Sequence, residues 1–272
     1  MLSSITPVVL TFNEADNIGR TLSHLAWARD IVVVDSGSTD ETLTIVHRFP
    51  QVRLFTRLFD THAAQWRFAT NETQIKTPWI FRLDADYIVT EDLIAELANL
   101  DPDPPVSAYR IAFDYAVYSH PLRTSLYPRN TLLLRKGRFH VIDRGHTEVW
   151  MINGAVKALG GRVVHDDWKP VEAWMMAQGR YMRREAHRVL SQPKGIRDWL
   201  RRHPPLMPLA AFVYCLFAKG LIRDGRVGLF YALQRLVAES VLSLMILERR
   251  LKHERPSPTR ERGAKEQSVP AD

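Results

Sequence analysis

Short apolar runs alternate with helically spaced apolar residues along the first 86 positions of the chain. The runs at 6–10, 31–34, 52–55 and 79–83 are rich in β-branched and aromatic side chains, which predicts buried strands. Between them apolar side chains recur at helical spacing, so a helix is predicted after each of the first three strands. This rhythm predicts a parallel, Rossmann-like sheet flanked by helices.

The pattern changes after residue 86. Residues 90–100 predict a short amphipathic helix, and the prolines that follow exclude both helix and central strand. From 108 to 134 the aromatic and β-branched content predicts strands of a mixed or antiparallel part of the sheet. Asn153 and Gly154 predict a hairpin turn, and residues 162–164 a short strand. The predicted fold class is α/β, with a mixed sheet.

Polar side chains stand where the predicted parallel strands end. Seven of them follow a strand end closely: Thr11, Asn13, Glu14, Asp35, Ser36, Asp84 and Asp86. The carboxyl ends of parallel strands share one edge of a sheet, where ligands bind, so these side chains are expected to lie together. Helix capping is the alternative role for Glu14 and Asp35. Asn13 is itself an N-cap candidate, and residues 38–41 form a capping-box pattern.

Asp84 and Asp86 flank one small residue at the end of a buried apolar run. Two hard oxygen donors on a short segment suit Mg²⁺ or Mn²⁺, which complete their shell with water and substrate phosphates. A solvated turn after a strand is the alternative interpretation of an isolated D-x-D triplet.

A second group of chemically active side chains lies further along the chain. Asp143, His146 and Glu148 stand close together in sequence, and the strand at 162–164 delivers His165 followed by two aspartates. A histidine with two carboxylates at a strand end is a possible metal or phosphate site. A partly buried structural histidine is the alternative for His165.

Composition and charge narrow the class of ligand without choosing it. The chain has 272 residues, and its formal net charge of +7 permits nucleic acid, sugar nucleotides or acidic headgroups as partners. Neither a Gly-x-Gly-x-x-Gly fingerprint nor a Gly-Lys-Ser/Thr loop is present, so side chains and metal would hold a nucleotide. Arg129 is a candidate phosphate contact, with an ordinary surface arginine as the alternative.

The compartment is predicted from cysteine usage and from the N-terminus. The single cysteine, Cys215, excludes an intramolecular disulfide framework, which fits a reducing compartment. The first residues show no basic segment and no cleavage pattern of a signal peptide. A cytoplasmic protein is therefore expected.

Basic charge is concentrated in the C-terminal third, where eight arginine and lysine residues lie between positions 180 and 202. Two apolar stretches follow, at 206–222 and 227–247, and the second contains Arg235 and Glu239. A charge near a bilayer centre costs about 2.5–3.5 kcal/mol, which favours helices lying in the membrane interface over helices that span it. Packing on the catalytic domain or on another subunit is the alternative. The expected division is a catalytic domain at 1–170, a membrane-associating helical extension at 171–254 and a disordered tail at 255–272.

Three motifs in order carry a family resemblance: VVLTFNE at 8–14, VVVDSGSTDET at 32–42 and LDAD at 83–86. With them, residues 1–170 resemble the family 2 glycosyltransferases of GT-A fold, in particular bacterial enzymes that build lipopolysaccharide cores and other envelope glycans. The nucleoside pocket implied by the resemblance is lined by Thr11, Asn13, Glu14 and Asp35. Asp84 and Asp86 would hold Mg²⁺ or Mn²⁺ on the donor diphosphate, with Asp84 acting directly or through the ribose. His165 falls where many such enzymes have a histidine that approaches the metal.

The resemblance also implies a catalytic base near residue 148. Related envelope enzymes often show His and Glu directly adjacent, whereas Thr147 separates His146 from Glu148 here. Glu148 is therefore the expected base, with His146 and Asp143 in reserve.

The implied reaction is inverting transfer of a sugar from a nucleoside diphosphate, expected to be UDP, to a hydroxyl group. The acceptor is expected to be a lipid-linked or lipopolysaccharide glycan at the inner face of the cell membrane, with an anionic membrane surface as a partner and no nucleic acid. Two alternatives remain: a metal-dependent nucleotidyltransferase or hydrolase of nucleotide sugars, and a non-catalytic membrane-surface binding protein.

Overall fold

The computed structural model describes residues 1–124, 126–143, 148–203 and 206–253. The strands of this part of the chain are β1 (Ile5–Thr11), β2 (Ile31–Asp35), β3 (Val52–Thr56), β4 (Trp79–Asp84), β5 (Tyr87–Val89), β6 (Val106–Val117), β7 (His120–Pro121), β8 (Asn130–Arg135), β9 (Phe139–Asp143), β10 (Glu148–Ile152) and β11 (Ala155–His165). The α-helices are α1 (Ile18–Ser23), α2 (Thr42–Val46), α3 (His62–Asn71), α4 (Glu91–Asn99), α5 (Val171–Ser191), α6 (Gly195–Arg201), α7 (Leu206–Val213) and α8 (Gly225–His253). The predicted apolar strands and the helix near residue 95 are confirmed.

One mixed sheet organises the catalytic part, in the order β3-β2-β1-β4-β8-β6-β11-β5, with β7 paired to β6. Strands β3, β2, β1 and β4 are parallel, whereas β8 runs antiparallel to both β4 and β6. β9 and β10 form a separate antiparallel hairpin. The expected α/β class with a mixed sheet flanked by helices is confirmed.

The sheet is covered on both faces, which explains why its central strands are mostly apolar on both sides. On one face α1, α2 and α4 bury side chains such as Leu22, Val46 and Leu93 against the sheet. On the other face α3 packs through Trp66, with Val141 and Trp150 of the β9–β10 hairpin beside it. Burial on two faces removes the alternation seen in half-exposed strands.

Two local predictions about turns are wrong. Asn153 and Gly154 do not join a hairpin, because β10 pairs with β9 while β11 pairs with β6 and β5. The turn therefore passes the chain from the small hairpin into the main sheet. The capping-box pattern at 38–41 also fails: α2 begins at Thr42, where its backbone N–H bonds Asp40, and the Ser38 hydroxyl donates to Asp35 instead.

The C-terminal helices pack on the sheet and on one another. Tyr231 of α8 is buried against Tyr115 of β6, with ring centroids 5.0 Å apart. Within the helices, the Arg201 guanidinium donates to both carboxylate oxygens of Glu239, at 3.0 and 2.6 Å, and both side chains are more than 90% buried. Because breaking such a buried pair leaves one charge uncompensated, this contact ties α6 firmly to the middle of α8. Residues 255–272, expected to form a tail, lie outside the described part of the chain.

Candidate active site

The D-x-D turn joins two strands that lie far apart in the sheet. β4 ends at Asp84 in the parallel half, and β5 begins at Tyr87 and pairs with β11 at the other edge. Ala85 between the two acids is buried, and its carbonyl accepts the Thr21 hydroxyl of α1 at 2.6 Å. The turn packs against α1 at Ala85, so this position suits a small residue. The same packing holds the two carboxylates at the edge of the sheet.

His165 meets Asp86 because β5 and β11 pair directly after the turn. Tyr87 stands opposite His165 in this antiparallel pairing, and the Asp166 backbone N–H donates to the Asp86 carbonyl at 3.1 Å. The His165 Nε2 atom lies 3.2 Å from Asp86 Oδ2. Residues that are far apart in sequence thus form one ion pair.

The Asp86–His165 pair is largely buried, and each partner shifts the pKa of the other. Burial alone would raise the pKa of Asp86, but the His165 ring with its hydrogen bond and the Lys169 charge together lower it. Burial alone would lower the pKa of His165, and the Asp86 carboxylate reverses that to a raised value. At Asp84, which opens onto a cavity, restricted hydration and then the charge of Asp86 raise the pKa. The pKa of Asp84 is therefore raised, whereas the pKa of Asp86 is lowered.

Aromatic rings surround His165 and fix its plane. Tyr127 stacks on the imidazole at a centroid distance of 4.7 Å and an interplanar angle of 25°, and Tyr115 lies at 4.8 Å. Tyr87 contacts the same ring edge-on at 5.5 Å. The ring is therefore held with Nε2 toward Asp86 and cannot swing away without displacing this cluster.

Glu14 lies close enough to Asp86 for their charges to interact, in a network that the sequence did not predict. Its carboxylate accepts hydrogen bonds from Lys169 Nζ at 2.6 Å and from Asn17 at 2.8 Å. Burial first, and the nearby Asp86 charge second, raise the pKa of Glu14 to about 7. Lys169 also lies 4.0 Å from Asp167, and despite its burial these acids raise its pKa. Lys169 is thus a cation held beside the D-x-D turn. In the sequence, its position two residues after Asp167 was the feature that could have indicated a role at the site.

Thr11 and Asp35 stand opposite each other at the ends of β1 and β2, which lie one and two strands away from the β4 strand that ends at Asp84. Asp35 is buried, and Oδ2 accepts the backbone N–H groups of Gly37 and Ser38, each at 2.8 Å. The Thr11 hydroxyl is buried and has no hydrogen-bond partner among the described residues. The structure thus brings Thr11 and Asp35 together as expected. The Asp35 carboxylate is bound by the backbone of the turn that follows it.

Asn13 ties the loops after β1 and β2 together. It adopts a left-handed conformation with φ of 51° and does not cap α1, whose N-cap is Asn17. Asn13 Oδ1 accepts the Thr39 backbone N–H at 2.8 Å, and the Asn13 N–H donates to Ser38. An asparagine suits this site because it tolerates positive φ.

A cavity of about 240 Å³ opens beside the turn. It is lined by His62, Trp66, Arg82, Leu83, Asp84, Tyr87, Asn130, Leu132, Glu148, Tyr181 and Arg184. The lining thus includes Asp84 of the D-x-D turn and Glu148, the expected base. It also includes Tyr181 and Arg184 of α5. Acidic, basic and aromatic side chains in one recess fit a polar ligand such as a sugar.

Glu148 is positioned by Arg82, an arginine inside an otherwise apolar strand. Arg82 donates to Glu148 at 3.1 Å, to the Thr131 carbonyl at 2.7 Å and to Asn130 at 2.8 Å. Its guanidinium also lies 4.7 Å from the centroid of the Trp150 ring. A buried charge within a strand was the available signal for Arg82, because buried charges are almost always paired.

The other expected site residues are less closely placed. Asp143 lies exposed, opposite Glu148 in the β9–β10 pairing. His146 lies outside the described residues. Arg129 is exposed and immediately precedes Asn130, which lines the cavity.

One buried atom at the turn fits a divalent ion. Asp86 Oδ1 is buried with no hydrogen-bond partner in the described part of the chain, and an unpartnered buried carboxylate oxygen is costly unless a ligand occupies it. Within the described ranges no three His, Cys, Asp or Glu side chains converge as a metal site. The turn therefore supplies one or two carboxylates, as Mg²⁺ and Mn²⁺ sites shared with substrate phosphates commonly do.

Comparison with known sequences assigns most of the catalytic part to one family. Residues 6–160, more than half of the chain, match the sequence model of Glycosyl transferase family 2. One relative is the lipopolysaccharide core biosynthesis glycosyltransferase LpsC of Rhizobium meliloti (strain 1021). It is 25% identical over 265 residues, which cover 93% of this chain and 95% of LpsC.

Similar solved structures include S. aureus TarS 1–349, with a TM-score of 0.43, 15% identity and 91% coverage of both chains. The same protein in complex with UDP-GlcNAc gives a TM-score of 0.44 at 12% identity, covering 91% of this chain and 92% of that one. Glucosyl-3-phosphoglycerate synthase from Mycobacterium tuberculosis, in complex with Mn²⁺, UDP and phosphoglyceric acid, gives 0.43 at 11% identity, with 71% and 80% coverage. Likenesses of this degree transfer no residue roles.

Proposed function

Since this chain belongs to glycosyl transferase family 2, we propose that it transfers a sugar from a UDP-linked donor to a hydroxyl of a lipopolysaccharide or lipid-linked glycan. A glycosyltransferase with a nucleotide-sugar donor is the coarse function that follows from the family. The observation that supports the transfer chemistry is the placement of Asp84 and Glu148 on one cavity, with Asp86 and its partner His165 following in the same turn and the neighbouring strand. The proposed acceptor class is supported by the similarity to the lipopolysaccharide core glycosyltransferase LpsC.

The nucleoside would bind along the ends of β1 and β2. Thr11 offers a buried hydroxyl that no described residue engages, and Asn13 and Asp35 hold the two loops that would enclose the base and ribose. Glu14 is bonded to Lys169, so its role in this scheme is to hold that cation beside the diphosphate. Arg129 is left as an exposed candidate for a phosphate contact at the cavity rim.

Asp86 and Asp84, with His165 adjacent, would hold Mg²⁺ or Mn²⁺. Such an ion neutralises charge on a departing diphosphate. The chain itself adds to this neutralisation, because the Lys169 ammonium lies beside the turn. The tyrosines around His165 keep its ring in place next to Asp86.

Glu148 is the proposed base in an inverting reaction. Its carboxylate would take the proton of the acceptor hydroxyl as the hydroxyl oxygen attacks the anomeric carbon from the face opposite the leaving diphosphate. Arg82 fixes one oxygen of Glu148 at 3.1 Å, which orients the carboxylate in the cavity. Asp143 and His146 remain the reserve candidates.

Product analysis tests the reaction class. Full-length protein, UDP-sugar, Mn²⁺ and extracted lipopolysaccharide should release UDP in step with loss of acceptor hydroxyl groups. Sugar phosphate and UMP would indicate a nucleotide-sugar hydrolase, and transfer of a nucleoside monophosphate would indicate a nucleotidyltransferase. Donor binding with no product from any acceptor would favour a non-catalytic binding protein and overturn the proposal.

A membrane surface is the proposed docking site for the extension. On α7 and the π-helical turn at Tyr214–Ala218, the side chains of Leu206, Leu209, Val213 and Phe217 are exposed at helical spacing. Arg223 and Arg226 follow and are exposed. An apolar stripe next to basic residues fits acyl chains and anionic headgroups.

Interfacial docking is favoured over spanning. The helical segment 221–252 is long and apolar enough to cross a membrane, and 39% of its most apolar window is buried inside the protein. Glu239 near its middle is paired with Arg201 of α6, and Tyr231 packs on β6. A spanning helix would have to break these contacts, whereas an interfacial one keeps them.

Liposome flotation checks the docking surface. Wild-type protein should float with anionic vesicles at low salt and be partly released at high salt, because headgroup attraction is screened. Replacing Leu209 and Phe217 with serine should reduce flotation by about tenfold or more, since each side chain loses its burial in the acyl region. Serine at Val156, an exposed apolar residue on β11, is the matched control. Unchanged flotation of the double variant would rule out this surface.

A further inference from the structure

The C-terminal extension supplies part of the candidate active site. Tyr181 and Arg184 are three residues apart on α5, hence on one face of the helix, and both line the cavity that holds Asp84 and Glu148. α5 lies outside the matched residues 6–160. The extension therefore contributes to ligand recognition as well as to packing.

Arg184 is the arginine of this cavity that is available to a ligand. Its side chain is half-buried, and it makes no hydrogen bond or ion pair with any residue in the described ranges. Arg82, the other arginine in the lining, is fully engaged by Glu148, Asn130 and the Thr131 carbonyl. A half-buried guanidinium that faces a cavity and that no described residue engages is a ready site for an anion, because it presents five N–H donors in a planar fork.

Two neighbouring arginines of α5 differ from Arg184 in their surroundings. Arg188, one turn later, binds Glu185 and Asp198 through four hydrogen bonds of 2.7–2.9 Å. Arg183 is exposed. Arg188 is thus structural and Arg183 points to solvent, which leaves Arg184 directed at the cavity.

The cavity lies away from the proposed nucleoside edge. Its lining includes Asp84 and Glu148, and Thr11, Asn13 and Asp35 are not among the residues that form it. Because Arg82 already compensates the charge of Glu148, Arg184 adds a positive charge that no described residue pairs. Such a charge favours an anionic group on a ligand that enters beside the proposed base.

Resting on the glycosyl transfer proposed above, we propose that Arg184 binds a phosphate or carboxylate carried by the acceptor glycan close to its accepting hydroxyl. Tyr181, half-exposed beside it, offers a ring on which a sugar of the acceptor can pack. The acceptor class is therefore an acidic glycan, and α5 selects it. Either anion matches the fork of the guanidinium, since both accept two parallel hydrogen bonds.

Steady-state kinetics with three soluble acceptors test the assignment. The probe is the deacylated core oligosaccharide of lipopolysaccharide, used intact, after removal of its phosphates and after reduction of its carboxyl groups. Arg184→Gln is expected to raise the acceptor KM about tenfold to a hundredfold on the intact probe, the usual effect of one charge-assisted contact. The donor KM should stay within about twofold. Arg184→Lys should recover part of the loss, because it keeps the charge without the fork.

Arg183→Gln is the matched control, since it removes the same charge from the exposed side of the same helix. On the probe that lacks the relevant anion, wild type and Arg184→Gln should become equal within about twofold, and which probe this is identifies phosphate or carboxylate. An equal defect on all three probes, an equal defect in Arg183→Gln, or a rise in donor KM would overturn the assignment to the acceptor. Wild-type protein that transfers to none of the probes overturns the proposed acceptor class itself, a result separate from any effect of Arg184.

Discussion

Replacing Asp86 with alanine is expected to lower kcat by about 10²–10³, the cost of losing one electrostatic contact of about 3–4 kcal/mol with the leaving group. The fold should survive, because His165 can become neutral once its partner is gone and its ring stays packed among three tyrosines. Turnover of UDP-sugar with a verified acceptor measures the loss, and far-UV circular dichroism with thermal melting checks the fold.

Two further measurements separate loss of the ion from loss of structure. In the presence of UDP the wild-type protein should bind Mn²⁺, and Asp86→Ala should not. Excess chelator should silence wild-type turnover, and added Mn²⁺ or Mg²⁺ should restore it. Asp103→Ala removes an exposed carboxylate three residues before β6 and should behave as wild type, since exposed ion pairs contribute about 0–1 kcal/mol. Full turnover in Asp86→Ala would remove Asp86 from the metal site.

Replacing Glu148 with glutamine is expected to lower kcat by about 10²–10⁴, the usual contribution of a general base. Glutamine keeps the shape and can still accept the hydrogen bond from Arg82, but it cannot take a proton. The donor KM should change little, because Thr11, Asn13 and Asp35, the proposed nucleoside contacts at the ends of β1 and β2, do not line the cavity that contains Glu148. Rapid-quench or coupled UDP-release assays at saturating acceptor measure the effect.

Asp143→Asn tests the reserve candidate for the base in the same assay. Asp143 stands opposite Glu148 in the hairpin pairing but is exposed, and it does not line the cavity. If Asp143→Asn loses the rate and Glu148→Gln keeps it, the base is Asp143. If both keep the rate, neither carboxylate is the base, and His146→Gln becomes the next variant to measure.

Much of the fold could be predicted because it depends on local patterns of apolar and polar residues. The run 31–34 is apolar throughout and 79–83 is apolar except for Arg82, since both faces of their strands are covered, and the structure forms β2 and β4 there. The acids at their ends could be assigned to one edge because parallel strands must share it. Thr11 and Asp35, and Leu10 and Asp84, are indeed neighbours across strands.

Capping and turn signals failed where a distant group competed for the same atoms. Asn13 has the chemistry of an N-cap, but its side chain binds the Thr39 N–H of the neighbouring loop. Ser38 begins a capping-box pattern, yet its hydroxyl is taken by the buried Asp35. Short polar side chains have several backbone partners of similar energy, so the tertiary neighbours select among them.

The sequence by itself determined the α/β class, the parallel strand run, the position of the D-x-D turn at a strand end and the family, because each depends on residues close together in the chain. Only the tertiary structure decided what surrounds that turn. It paired β5 with β11 and so placed His165 on Asp86, set Lys169 against Glu14, and laid α5 along the cavity with Arg184 facing in. These contacts join residues about 80 to 155 positions apart, and no local spacing encodes them, since they arise from the curl of one sheet and the return of the chain across it.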